Sequence, residues 1–402
     1  MKKGAIMNII TRLSVALLLI SIPILADIHQ DLEDFVEYKT SAEIGYVNID
    51  EREFFKTTLS PNFYLGSLFV GLDFNLYVPM DDSGELPSNV SWVNLRKLAY
   101  SYKDLHGFKW GRLRRITMGQ GLLMDNFDSG SGGNTEFTSD KTGFYGYATL
   151  KKVKVSGMYT AQNVQAARFE TPVPRLKILN KHIYVGATYV TDTDGVSDDT
   201  LSVYRKKQDG YAVDARYPIF DETMTIYGEY AKLNDYGKGA SAGLRGAIFT
   251  RVNYKAEYRI LGAQFVPGYF NSSYQATSFD LETDSSTEKT EGFLAALSTS
   301  LLKDYVQLGA QYEAYDEASI LSAGIGLKKI GPIAAALNYS KPYNTTNDNG
   351  IAVLDFYVET GKWYDLVGQY KWTFISEGET EKSYSIGVKI QPEKFMSIGF
   401  LK

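Results

Sequence analysis

Apolar and polar residues alternate with a period of two along most of this chain. Leu68, Val70, Leu72, Phe74, Leu76 and Val78 alternate with Phe69, Gly71, Asp73, Asn75 and Tyr77. Val252, Tyr254, Ala256, Tyr258 and Ile260 alternate with Arg251, Asn253, Lys255, Glu257 and Arg259. Val306, Leu308, Ala310 and Tyr312 alternate with Gln307, Gly309, Gln311 and Glu313. The pattern returns over 364–374 and 383–390. Successive side chains of a strand point to opposite faces, so each segment predicts a strand with one apolar and one mainly polar face. A helix of the same composition would spread both classes around its circumference. About 20 such strands are legible, the weakest at 167–173, 292–300 and 394–401.

Two kinds of connection separate the strands. Short ones fall at Gly66-Ser67, Leu105 to Gly107, Lys151-Lys152, Ile219 to Glu222, Lys328 to Gly331, Gly361-Lys362 and Gln391 to Lys394. Longer polar loops fall at 79–92, 120–139, 192–208, 261–290 and 341–349. Short turns at one end and long loops at the other are the asymmetry of a membrane barrel.

The N-terminus reads differently. Lys2, Lys3 and Arg12 precede an uncharged run from Leu13 to Ala26. That run is shorter than the roughly 20 residues of a spanning helix. It predicts a secretory signal peptide over 1–26, with 27–402 forming one barrel domain. The longest later charge-free stretch, Ile260 to Phe279, carries too many polar groups to span hydrocarbon as a helix.

Composition narrows the chemistry. The 402 residues include 30 Tyr and 36 Gly, only 3 His and no Cys. The missing cysteines exclude disulfides, thiol nucleophiles and thiolate metal sites. A formal charge of -5 argues against a nucleic-acid partner. His29, His106 and His182 form no cluster with a nucleophile, so neither an enzyme nor a metal or cofactor site is expected. The acidic loop Asp192 to Asp199 lacks the glycine and glutamate spacing of a calcium loop.

An alternating strand also suits a soluble sandwich, where apolar faces meet each other. The export signal, strands of membrane-spanning length and aromatics near strand ends (Tyr77, Tyr100, Tyr102, Phe108, Trp110, Tyr339, Tyr364, Trp372, Phe374) favour lipid outside and water inside. In this texture the chain resembles the broad class of bacterial outer-membrane porin-like β-barrels. The stretch Gly111-Arg-Leu-Arg-Arg-Ile-Thr-Met-Gly-Gln-Gly-Leu-Leu-Met-Asp-Asn-Phe127 also looks like one seen in such barrels. The C-terminus departs from the best-known members, ending Phe400-Leu401-Lys402 instead of on an aromatic residue. The resemblance implies an all-β, single antiparallel transmembrane β-barrel with 18 or 20 strands, in the outer membrane of a diderm bacterium. It implies lipid, small hydrophilic solutes, the barrel-assembly machinery and a homo-oligomer as partners. The function expected is passive diffusion through a channel. The alternative is a structural or surface-interaction barrel with a blocked lumen.

Candidate pore-lining residues follow from the polar faces. A hairpin over Asn94 to Gly119 would turn Leu98, Tyr100, Tyr102, Ile116 and Met118 to lipid. A bulge near Arg114-Arg115 would let Arg112, Arg114 and Arg115 join Lys97 and Lys103 in a basic ladder. Guanidinium groups on the lipid face near the midplane would cost roughly 2–4 kcal/mol each. Arg251, Lys255 and Arg259 are further basic candidates. Asp73, Glu257, Glu313, Asp355 and Glu359 are the candidate acids opposite. The uncharged segment 262–277, with Phe265, Pro267, Tyr269, Phe270 and Tyr274, is expected to fold inward as a constriction.

Overall fold

The computed structural model describes residues 41–390, apart from 50–51, 81–91, 104, 130–141, 179, 195, 199–202, 206, 221–222, 235, 250, 272–273, 275–287, 303–304, 317, 344–350, 361–363 and 375–379. The predicted signal peptide and its cleavage point lie outside these residues, as do His29 and the expected strand at 394–401.

The wall begins with β1 (Ser41–Ile49), β2 (Arg52–Ser60), β3 (Asn62–Leu65), β4 (Leu68–Pro79), β5 (Val93–Tyr102) and β6 (His106–Gly111). The chain then leaves it for two short strands, β7 (Ile116–Met118) and β8 (Met124–Phe127), which form a separate sheet. The wall resumes with β9 (Gly143–Leu150), β10 (Val153–Thr160), β11 (Val164–Ile178) and β12 (Lys181–Asp192). A second separate ribbon, β13 (Val196–Asp198) with β14 (Val203–Arg205), fills the next loop. Then follow β15 (Gln208–Pro218), β16 (Thr225–Leu233), β17 (Lys238–Ile248), β18 (Val252–Leu261), β19 (Thr290–Leu301) and β20 (Val306–Tyr315). The last strands are β21 (Ala318–Ile330), β22 (Ile333–Tyr343), β23 (Ile351–Glu359), β24 (Tyr364–Phe374) and β25 (Thr380–Ile390).

Each wall strand pairs antiparallel with its neighbours, β6 passing to β9 and β12 to β15. The last strand returns to the first, from Ala42↔Ile390 to Ile44↔Val388. β2 and β3 lie end to end along β4, so the 21-stranded sheet amounts to 20 staves. The described residues therefore form an all-β, single antiparallel barrel, and their 20 staves match the 18 or 20 expected of a single-chain barrel.

The faces are inverted relative to a soluble protein. On β4, Phe74, Leu76 and Val78 are 41%, 55% and 48% exposed, whereas Asp73, Asn75 and Tyr77 are 5–7% exposed. The same division holds on β18, where Tyr258 and Ile260 are exposed and Glu257 and Arg259 buried. Tyr77 thus packs inside, edge-on against Phe54 and Trp92, and is not part of an outer aromatic girdle. Tyr100, Phe108 and Phe144 do form a ladder of ring contacts across β5, β6 and β9.

One end carries short turns, as the sequence predicts, whereas the other mixes long connections with short ones at 161–163 and 234–237. Turns at 66–67, 103–105, 151–152, 219–224, 249–251, 302–305 and 331–332 are short. The other end carries the long connections 80–92, 112–142, 193–207 and 262–289.

The expected hairpin from Asn94 to Gly119 requires correction. Its second strand stops at Gly111, and Ile116 and Met118 are buried inside the barrel, not turned to lipid. The bulge sits at Arg96, not at Arg114-Arg115. The β4 register passes from Gly71↔Lys97 to Leu72↔Leu95, leaving Arg96 as the extra residue. A bulge reverses the facing of the residue it inserts, so Arg96 and Lys97 both point inward.

Candidate functional site

A ring of about 20 strands is too wide for its own side chains to fill. Here two segments enter it. Residues 112–129 form a hairpin whose path depends on left-handed backbone at Arg115, Gly119, Gly121 and Asn126. At Gly119, φ is +82° and a Cβ would stand 2.2 Å from Oε1 of Glu229, so only glycine fits. Internal bonds hold the hairpin. Arg112 donates two hydrogen bonds of 2.9 Å to Asp128, and the Leu113 amide donates to Ser129 Oγ at 2.9 Å. Thr117 Oγ1 donates to Asp125 at 2.9 Å and accepts from the Asn126 amide.

The second segment follows β18. The amide of Gly268 donates to the Leu122 carbonyl at 2.8 Å, that of Phe270 to Leu123 and that of Asp125 to Phe270. These bonds splice it to the hairpin. Tyr274 Oη donates to Asp192 Oδ2 at 2.9 Å at the end of β12. Ring contacts link Tyr269, Phe270, Tyr274 and Phe127.

The wall receiving these segments has two tiers. Toward the long-loop end, its inward positions are small or apolar: Val164 and Ala166 on β11, Val190 on β12, Ala212 on β15, Ala231 and Leu233 on β16 and Leu261 on β18. These join Leu113, Met118, Leu122, Leu123, Phe127, Phe265 and Phe270 in one buried cluster. Further along the same strands the inward positions become charged. Arg168 donates to Asp214 at 2.6 Å, to Glu170 at 2.9 Å and to Thr188 at 3.0 Å, and Arg216 reaches Glu170 at 2.7 Å. Glu257 accepts from Arg259 at 2.7 Å, Lys255 at 2.9 Å and Tyr227 at 2.8 Å. Arg259 also donates to Glu313 at 3.1 Å and Tyr315 at 2.8 Å. Burying such charges is tolerable because each is multiply hydrogen-bonded.

The hairpin tip sits on this charged tier. The Leu122 amide donates to Glu229 Oε2 at 2.7 Å, the Gln120 amide group to Asp214 at 2.8 Å, and Lys255 Nζ to the Gln120 carbonyl at 3.3 Å.

The candidates from sequence distribute unevenly. Lys255, Glu257, Arg259 and Glu313 come together in one network, as acid–base pairs on one stretch of wall. They do not form opposed ladders. Phe265, Pro267, Tyr269, Phe270 and Tyr274 all lie buried in the inserted segment. Lys97 lies inside, over the Phe69 ring at 5.3 Å. Asp355 and Glu359 occupy inward register positions on β23. Arg112, Arg114 and Arg115 belong to the inserted hairpin and not to a strand. Lys103 and Arg251 sit exposed in short turns at the far end, so the basic ladder does not assemble as expected.

Several interior residues escaped the sequence reading. Arg96 pairs with Asp73 at 3.0 Å and donates to Asn62 at 2.5 Å. Simple alternation turns it outward, and only the bulge brings it in. Arg168, Glu170, Asp214, Arg216 and Glu229 had a signal, since charges spaced by two on a strand share a face. Among the described residues, no group of three or more His, Asp or Glu is placed to hold a metal ion.

No family model and no curated protein matches the chain. Solved structures resemble it at low identity. The outer-membrane protein OpdK of Pseudomonas aeruginosa is 9% identical, with a TM-score of 0.38 over 87% of this chain and 96% of that one. OccAB4 of Acinetobacter baumannii is 10% identical, with a TM-score of 0.40 over 87% and 95%. A mutant porin of Rh. blastica is 10% identical, with a TM-score of 0.33 over 87% and 98%. With TM-scores below 0.5, none of these neighbours carries weight for the function of this chain.

Proposed function

We propose that this chain is an outer-membrane channel for passive diffusion of small hydrophilic solutes. The carrying observation is the inversion of faces. Large apolar side chains cover the outside of the ring while paired charges line its inside, an arrangement stable when lipid is the outer solvent. Export through the N-terminal leader and insertion by the barrel-assembly machinery would deliver it there.

The conduit we infer runs beside the inserted segments. These lean on β11 to β20, where Asp214, Glu229, Glu257 and Glu313 are buried. On β23, three staves past β20, inward Val353, Asp355 and Glu359 are half-buried, with Tyr357 buried between them. Passage would be governed by the width of this gap and by the charges along it, with no covalent step. The apolar interior cluster favours the second reading, a barrel with a blocked lumen that serves structure or surface contact.

Purified protein reconstituted in planar bilayers separates the two. Stable conductance steps support the channel, and a folded but silent barrel supports the blocked one. A leader-free chain that stays monodisperse in buffer without detergent overturns both.

A further inference from the structure

The short-turn end carries side chains that suit neither water nor hydrocarbon alone. Leu65, Leu105, Leu150, Phe220, Phe249 and Leu302 stand exposed at successive turns around the ring. Phe249 is 88% and Leu302 68% exposed, and both hold left-handed backbone, with φ of 53° and 52°. Bulky residues rarely adopt that conformation, and exposing large apolar surface to water is unfavourable. Positive charges stand in the same turns: Lys103, Lys151, Lys152 and Arg251 are all exposed. Lys103 lies over the Tyr102 ring at 5.3 Å, and Lys152 Nζ is 3.3 Å from His182 Nε2. In sequence these turns also carry Asp104, Asp221, Glu222, Lys303 and Asp304, so bases and acids nearly balance, whereas long connections such as 80–92 are acidic.

We infer that this rim is an anchoring surface for anionic phospholipid, a reading that rests on the membrane assignment above. The apolar tips would enter the acyl boundary while the ammonium and guanidinium groups reach headgroup phosphates from the same turns. Each basic group near an anionic leaflet favours association by about fivefold. A rim facing only water would have no use for the apolar tips.

The test measures the relative binding constant of phosphatidylglycerol over phosphatidylcholine, from quenching of the protein's tryptophans by brominated lipids in reconstituted vesicles. The wild-type protein is expected to prefer phosphatidylglycerol severalfold. The variant Lys103→Gln/Lys151→Gln/Lys152→Gln/Arg251→Gln is expected to lose most of that preference while keeping its folded, heat-shifted gel migration. If the variant does not fold, the wild type at about 1 M salt, where screening acts within about 3 Å, must lose the preference. No preference in the wild type, or one that survives both charge removal and salt, overturns the anchoring surface. Failure to enter vesicles of either lipid overturns the membrane assignment itself, so the two failures are told apart.

Discussion

The backbone amide of Leu122 donates to Oε2 of Glu229 at 2.7 Å, joining the tip of the inserted hairpin to the inner face of β16 across 107 residues of sequence. A carboxylate that accepts from a backbone amide in a water-poor interior is a strong anchor, and removing it strands a buried donor. Position 229 therefore connects the wall to whatever the hairpin obstructs.

Replacing that acceptor should loosen the hairpin first. Glu229→Leu is expected to cost about 1–3 kcal/mol, the penalty for an unsatisfied buried amide. Urea unfolding in detergent micelles would report the loss. Bilayer recordings should show larger or noisier conductance steps. Glu229→Gln, which keeps an oxygen acceptor, should stay closer to the wild type in both.

The apolar cluster offers a second handle on the same obstruction. Phe265 packs where a Cβ on Gly239 would lie 2.6 Å from its ring, and Phe270 is fully buried. Phe270→Ala should cost about 3–5 kcal/mol through the cavity it leaves. An increase in single-channel conductance should accompany it. A conductance unchanged by both Phe270→Ala and Glu229→Leu would place the solute path away from these segments.

Lipid contact outside the ring predicts a position-dependent cost for charge. Leu297 lies 56% exposed on the outer face of β19. Leu297→Arg should destabilise the folded barrel in vesicles by about 2–4 kcal/mol, read from urea titration of tryptophan fluorescence. Leu297→Ala should cost far less than the arginine. Equal stabilities for arginine and alanine would mean that water, not lipid, bathes this face.

Arg96 should matter more to selectivity than the hairpin arginines. Arg96→Gln leaves Asp73 without its cation on an inward position of β4, adding one net negative charge inside. The reversal potential in a salt gradient should move toward cation preference. Arg112→Glu, by contrast, opposes two acids where Arg112 and Asp128 now pair, so its expected effect is destabilisation of the hairpin.

Period-two alternation by itself determined the strand class and the outward face of strands such as β4 and β18. These features are legible because they depend only on which side of one strand each residue takes. The inward fate of Phe265, Tyr269 and Tyr274 could be anticipated in the same way, from an uncharged aromatic segment poorly suited to water. Tertiary structure alone decided the rest. Strand stagger brings Arg168 to Asp214 and Arg259 to Glu313, residues that sit on different strands and that no local pattern pairs. The bulge at Arg96 reverses a facing that strict alternation assigns wrongly. The apolar residues of 113–127 look like a strand with a slipped phase until a ring too wide to fill itself provides an interior for them. A face is a property of one strand, whereas a partner or an interior exists only once the whole sheet has curved back on itself.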